Sequence, residues 1–75
     1  MTVREEITEY INELTHENIT DDNINLFESG LLTSLDVLDL INFIESKFSI
    51  HLLEENVNMD NFGSISGIVS FIEQL

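Results

Sequence analysis

The chain has no cysteine, no proline and no tryptophan among its 75 residues, and only two basic side chains, Arg4 and Lys47. Each shortage excludes something. Without cysteine there is no disulfide framework, thiolate zinc site or cysteine nucleophile, and the chain suits a reducing compartment. Two cations cannot neutralise a phosphate backbone, which excludes DNA, RNA and anionic membrane surfaces as partners. No apolar run approaches the ~18 residues of a membrane span. The opening segment does not read as a secretory signal, because Arg4, Glu5, Glu6 and Glu9 interrupt its apolar residues. A soluble, cytoplasmic protein is expected.

What is present in excess is acid. Fifteen Asp and Glu residues give a formal charge of -13. A field of this sign steers a protein toward basic patches on other proteins, faster at low salt. It also repels a second copy of itself, so a monomer is expected. Such acidity often accompanies disorder, but 43% of the chain is hydrophobic, and periodically so, which predicts a folded protein. One small core supports one domain, residues 1–75, and leaves no room for a large enclosed substrate cavity.

The apolar spacing predicts helices. Val3, Ile7, Tyr10, Ile11 and Leu14 lie on one face of a helix from about residue 3 to about residue 15, with Thr2 and Glu5 as its capping box. From His16 to Thr33 the period disappears, leaving a long loop with isolated apolar residues that should tuck onto the helices, and with Gly30 at its turn. Residues 34–48 resume the period: Val37, Ile41, Ile44 and Phe48 form a core stripe with Leu40 beside it, while Leu35 falls nearly opposite, on the face of Asp39, Asn42 and Ser46. The segment 49–63 holds at most one short turn, near Glu54 to Asn58. Ile65, Ile68, Val69, Ile72 and Leu75 form a last helix capped by Ser64. The expected fold is all-α, a small helical bundle with three main helices, one short one and a long first loop.

Few residues are placed for chemistry. Asp21, Asn23 and Asn25 match the opening of a calcium loop, but Leu26 stands where it needs glycine and Leu32 where it needs glutamate. His16 and His51 have no ligand partner at helical spacing, and no serine sits in a G-x-S-x-G turn. Neither a catalytic nor a metal-binding set emerges. Ser34 stands out instead, at a helix N-terminus where the backbone N–H groups favour an anion, beside the exposed Leu35. Since serine is a favoured N-cap, Ser34 is also the expected cap of that helix.

The run Gly30-Leu31-Leu32-Thr33-Ser34-Leu35-Asp36 resembles the carrier motif G-x-[DL]-[DS]-S-[LM]. With Leu26-Phe27 before the glycine, Asp39 after the serine, the Glu45, Phe48, Ile50 ending of the second helix and Ser64-Ile65 opening the last, the chain is similar to acyl carrier proteins over essentially its whole length. The resemblance implies a non-catalytic carrier. It makes Ser34 the attachment point of 4'-phosphopantetheine, transferred from coenzyme A by a separate phosphopantetheinyl transferase with magnesium. The arm's thiol would hold an acyl or aminoacyl group as a thioester. It implies as further partners an acyl or aminoacyl loading enzyme and a downstream synthase or transferase with a basic docking patch. The recognition face would comprise Leu31, Leu32, Thr33, Leu35, Asp36 and Asp39, with Glu45 at its margin. Thr33 stands where fatty-acid carriers usually have aspartate. That departure weakens a fatty-acid assignment, and the Leu31-Leu32 pair and the Phe48-Ser49-Ile50 ending resemble stand-alone carriers for small acyl or aminoacyl units. A specialised carrier for polyketide or nonribosomal peptide assembly therefore ranks first, a D-alanyl carrier for teichoic acid second and a fatty-acid carrier third. An unmodified acidic helical adaptor is the alternative of another class.

Overall fold

Thr2 and Thr33 open the two long helices in the same way. In the computed structural model, which describes residues 2–75, α1 spans Val3–Thr15 and α2 spans Ser34–Phe48. Thr2 Oγ1 accepts from the Glu5 N–H and Glu5 Oε1 accepts from the Thr2 N–H, both at 3.1 Å. Thr33 and Asp36 repeat the exchange at 3.3 and 3.0 Å. Each box satisfies two backbone donors that a helix start would otherwise leave open. Both helices end without glycine, at His16 (φ 60) and Ser49 (φ 55), in left-handed conformations.

The segment after α2 is richer than its sequence suggests. It holds a 3-10 turn, Glu54–Asn56, and a one-turn helix α3, Met59–Phe62, before α4 at Ile65–Glu73. Asparagine side chains set these pieces: Asn56 Oδ1 accepts from the Leu53 N–H at 3.1 Å and Asn58 Oδ1 from the Asn61 N–H at 2.9 Å. Such local bonds organise backbone without any hydrophobic period, so periodicity alone suggests one turn where there are two. Ser64 caps α4 as expected, accepting from the Gly67 N–H at 3.0 Å. The helix stops at Glu73, and Leu75 lies beyond it, exposed.

The core is built from Ile7 and Ile11 of α1, Leu40 and Ile44 of α2, Phe62 of α3, and Ile65, Ile68 and Val69 of α4, all buried. Each such side chain contributes about 1.5–3 kcal/mol on burial. On α2 the buried line is centred on Leu40 and Ile44, while Val37, Ile41 and Phe48 of the expected stripe are half-buried. α1 packs chiefly on α4, α3 folds onto the start of α4, and α2 meets α1 along a thinner seam. A Cβ at Gly67 would approach the Asp60 carbonyl oxygen to 3.0 Å, so glycine lets α3 sit tightly on α4. The radius of gyration, 11.1 Å, matches the ~11 Å of a compact chain this long. Among the described residues no helix is long and apolar enough to cross a membrane.

The long loop is pinned rather than loose. The Leu26 N–H donates to the Gly63 carbonyl (2.8 Å), the Ser66 N–H to the Asp22 carbonyl (2.9 Å) and the Leu32 N–H to the Leu26 carbonyl (2.9 Å). Leu26 and Leu32 drive their side chains into the core at 0% and 4% exposure. The side chains that resemble a calcium loop are used to close turns: Asp21 Oδ1 accepts from the Asn23 N–H, and Asn25 Oδ1 from those of Phe27 and Glu28.

Candidate functional site

Ser34 is placed by the anchor two residues before it. Leu32 is fixed in the core and its backbone is bonded to Leu26, so the extended step to Thr33 (φ -104, ψ 174) must emerge at the surface. Gly30 makes this geometry possible. Its φ of 81 lies in the left-handed region, where a Cβ is disfavoured, and its N–H donates to the Phe27 carbonyl at 3.0 Å to close the turn.

The capping oxygen at the start of α2 belongs to Thr33, not Ser34. This corrects the expected assignment. Serine and threonine are adjacent, both are good caps, and only the backbone angles decide between them; the extended residue before the first helical one is Thr33. Ser34 is therefore the first residue of α2, exposed, with its hydroxyl released from capping. The Asp36 N–H is held by Thr33 Oγ1 and that of Val37 donates to the Thr33 carbonyl at 3.2 Å. The N–H groups of Ser34 and Leu35 are the first-turn donors left to face an anion at this end.

Beside Ser34 opens a cavity of about 280 Å³ lined by Phe27, Ser34, Val37, Val57, Asn58, Met59 and Phe62. Its walls come from the first loop, α2, the 3-10 turn's exit and α3, and are apolar except for Asn58 and Ser34 itself. Larger hollows exist, such as that of about 580 Å³ over α1 between Arg4, Glu9, Glu13 and Asp22. Those are shallow and lined by charged groups. The cavity at Ser34 combines an exposed hydroxyl with an apolar trough.

The other expected site residues separate into two groups. Leu35 is 76% exposed and Asp39 is exposed on the same helix, as the helical spacing predicts. Leu31 is half-buried against the core. Leu32, by contrast, is a core residue and has no side-chain surface to offer a partner; that expectation is corrected. Thr33 and Asp36 are engaged with one another in the capping box. Glu45 is half-buried and also serves the fold: its Oε2 accepts from the Leu52 N–H at 2.8 Å and lies 3.5 Å from His51 Nδ1, fixing the chain where it leaves α2. Sequence reasoning missed Leu38, 58% exposed, and Met59, 50% exposed. Leu38 had a signal, since it follows Leu35 by one turn on α2. Met59 had none, because only the fold carries α3 beside Ser34.

Thr33 makes the same cap that an aspartate would, without placing a negative charge next to Ser34.

Known proteins share this architecture. A family model described as a phosphopantetheine attachment site matches residues 5–72. The D-alanyl carrier protein of Leuconostoc citreum is 34% identical over the whole chain and 97% of its own length. That of Leuconostoc mesenteroides is 33% identical over the whole chain and 97% of its length, and that of Streptococcus thermophilus 32% over the whole chain and 96%. Among solved structures, a chain from one titled as the crystal structure of an FAD-dependent dehydrogenase superposes with a TM-score of 0.76 at 27% identity, covering 89% of this chain and 99% of its own.

Proposed function

The chain belongs to the phosphopantetheine-attachment-site family, and on that premise we propose that it is a D-alanyl carrier whose 4'-phosphopantetheine arm is attached to Ser34. The observation that carries the reading is the full-length likeness to three proteins named D-alanyl carrier protein. It favours the second-ranked sequence expectation over the specialised polyketide or nonribosomal peptide carrier placed first. Attachment at Ser34 is supported by its exposed hydroxyl, free of capping, at the head of α2.

The residues present fit the arm. A phosphodiester on Ser34 Oγ is met by the open N–H groups at the helix start, where an anion is favoured. The apolar trough of Phe27, Val37, Val57 and Met59 can receive the pantetheine methyl groups, with Asn58 to hydrogen-bond an amide. When bound, the arm supplies the thiol that holds D-alanine as a thioester. The protein itself supplies tethering, which raises the effective concentration of the aminoacyl group at whichever enzyme is docked. Leu35 and Leu38, one turn apart and both exposed, with Asp39 beside them, give partners a small apolar patch with an acidic edge. A basic rim around an apolar pocket is the complement, for the transferase, the loading enzyme and the acceptor alike.

One observation favours a second reading. The structural likeness to a chain in a structure titled for an FAD-dependent dehydrogenase suits a carrier that presents another acyl unit to an oxidising partner in a specialised pathway. Intact mass separates the readings. The protein is incubated with coenzyme A, magnesium and a broad-specificity phosphopantetheinyl transferase, then with ATP, D-alanine and the D-alanine-loading enzyme of one of the Leuconostoc relatives. One arm on Ser34 followed by one alanyl group is the expected result. An arm without alanyl loading, where a control carrier is loaded, overturns the D-alanyl assignment; no arm at all leaves the acidic adaptor.

A further inference from the structure

Away from Ser34, α1 and α2 frame a second groove of about 150 Å³ lined by Glu6, Glu9, Tyr10, Glu13, Phe43 and Lys47. Its floor is aromatic. The rings of Tyr10 and Phe43 stack with centroids 4.0 Å apart and an interplanar angle of 9°, and Phe48 meets Phe43 edge-on at 6.5 Å. The Tyr10 hydroxyl donates to the Asp39 carbonyl at 3.2 Å, which fixes the ring across the seam between the helices. Both rings are only half-buried.

The rim is acidic on one side. Glu6, Glu9 and Glu13 follow each other at three- and four-residue spacing and share the face of α1 that carries Tyr10. The groove already holds one cation of its own. Lys47 Nζ lies 3.4 Å from Glu6 Oε1 at one end. Glu9 and Glu13, further along the same face and exposed, have no such cation among the described residues. The negative potential reaches the ring as well: burial first, then Asp39 and Glu13, push the Tyr10 phenol above its ordinary value.

We propose that this groove is a second docking site, which takes an arginine side chain from a basic segment of a partner protein. Charge complementarity selects a cation, and the aromatic floor selects arginine over lysine, because a planar guanidinium stacks on a ring while its N–H fork meets a carboxylate. Glu9 and Glu13 receive the fork and the Tyr10–Phe43 pair receives its face. At ~30 Å³ per water the groove holds about five waters, the room for one side-chain head rather than a helix. The site is independent of the arm on Ser34 and lies along α2 from the Leu35–Leu38 patch, so one extended basic partner surface can engage both.

The test uses the Ser34→Ala protein, so that its result does not depend on modification. Backbone amide and aromatic NMR shifts are followed while acetylated, amidated glycyl-arginyl-glycine is added, and again with the lysine analogue. Shifts are expected at Tyr10, Glu13 and Phe43, with arginine binding about two- to five-fold more tightly than lysine. Glu9→Gln combined with Glu13→Gln, two exposed changes that leave the fold intact, should weaken arginine binding several-fold. Tyr10→Leu, with its fold checked by the α2 amide shifts, should erase the preference for arginine. Equal shifts for both peptides spread over the acidic surface, or arginine binding unchanged by the double glutamine variant, would overturn the proposal.

Discussion

Replacing Ser34 with alanine should remove the proposed attachment point while leaving the fold almost untouched, and the reason lies one residue upstream. The cap of α2 is Thr33, whose Oγ1 holds the Asp36 N–H at 3.3 Å. Loss of an N-cap side chain costs about 1 kcal/mol, within a range of roughly 0.5–2. An exposed change away from caps and core stays within about 0.5 kcal/mol. At ~2.1 cal/mol/K per residue, the unfolding entropy of a 75-residue chain is about 160 cal/mol/K, so 1 kcal/mol shifts Tm by about 6 °C. Thr33→Ala should therefore melt about 6 °C below the parent, and Ser34→Ala within about 3 °C of it. Two readouts on the same samples decide the matter, a thermal melt followed by circular dichroism and intact mass after transferase treatment. Thr33→Ala should be less stable yet still accept the arm; Ser34→Ala should be stable and accept none. If Ser34→Ala melts lower than Thr33→Ala, the capping assignment is wrong, and if it gains the arm, the attachment assignment is wrong.

Leu32→Ala should cost about 2–5 kcal/mol in urea unfolding, because it empties a buried site, whereas Leu35→Ala should cost under about 0.5 kcal/mol and instead weaken loading by a partner enzyme. Equal destabilisation by the two would contradict the division between core and patch. Gly30→Ala meets open space, so any loss comes from its φ of 81; about 1–2 kcal/mol is expected, read from the urea midpoint. The Glu5 carboxyl is held below its ordinary value, first by the backbone bond to Thr2 and then by the Thr2 side chain. A folded value below the unfolded one gives stability that is complete above the ordinary value of 4.5 and lost as the pH falls through the lower, folded value. An NMR titration should find Glu5 moving part of the way toward its ordinary value in Thr2→Ala, which removes the side-chain bond and keeps the backbone N–H; an unchanged value would show that the Thr2 hydroxyl contributes nothing to the shift.

Helices α1, α2 and α4 were legible because each carries a one-sided apolar period, and Thr2 and Ser64 marked two of their starts. Their ends were harder to see, since His16 and Ser49 take the left-handed conformation that usually advertises itself as glycine. The motif around Ser34 was legible as a string of residues, and with it the exposed Leu35. The cap and the serine next to it were not distinguishable, because the choice rests on the backbone angles of Thr33.

By itself, then, the sequence determined an acidic, all-helical fold with a serine at the head of its second long helix, because helical period, charge and a local motif are properties of neighbours along the chain. The tertiary structure decided the rest. It sent Leu32 inward and left Leu38 outward, brought Val57, Asn58 and Met59 beside Ser34 to form a trough, and laid Tyr10 on Phe43. Those juxtapositions join residues far apart in the chain through backbone bonds such as Leu26 to Gly63, and no periodicity within one segment encodes where another segment will lie.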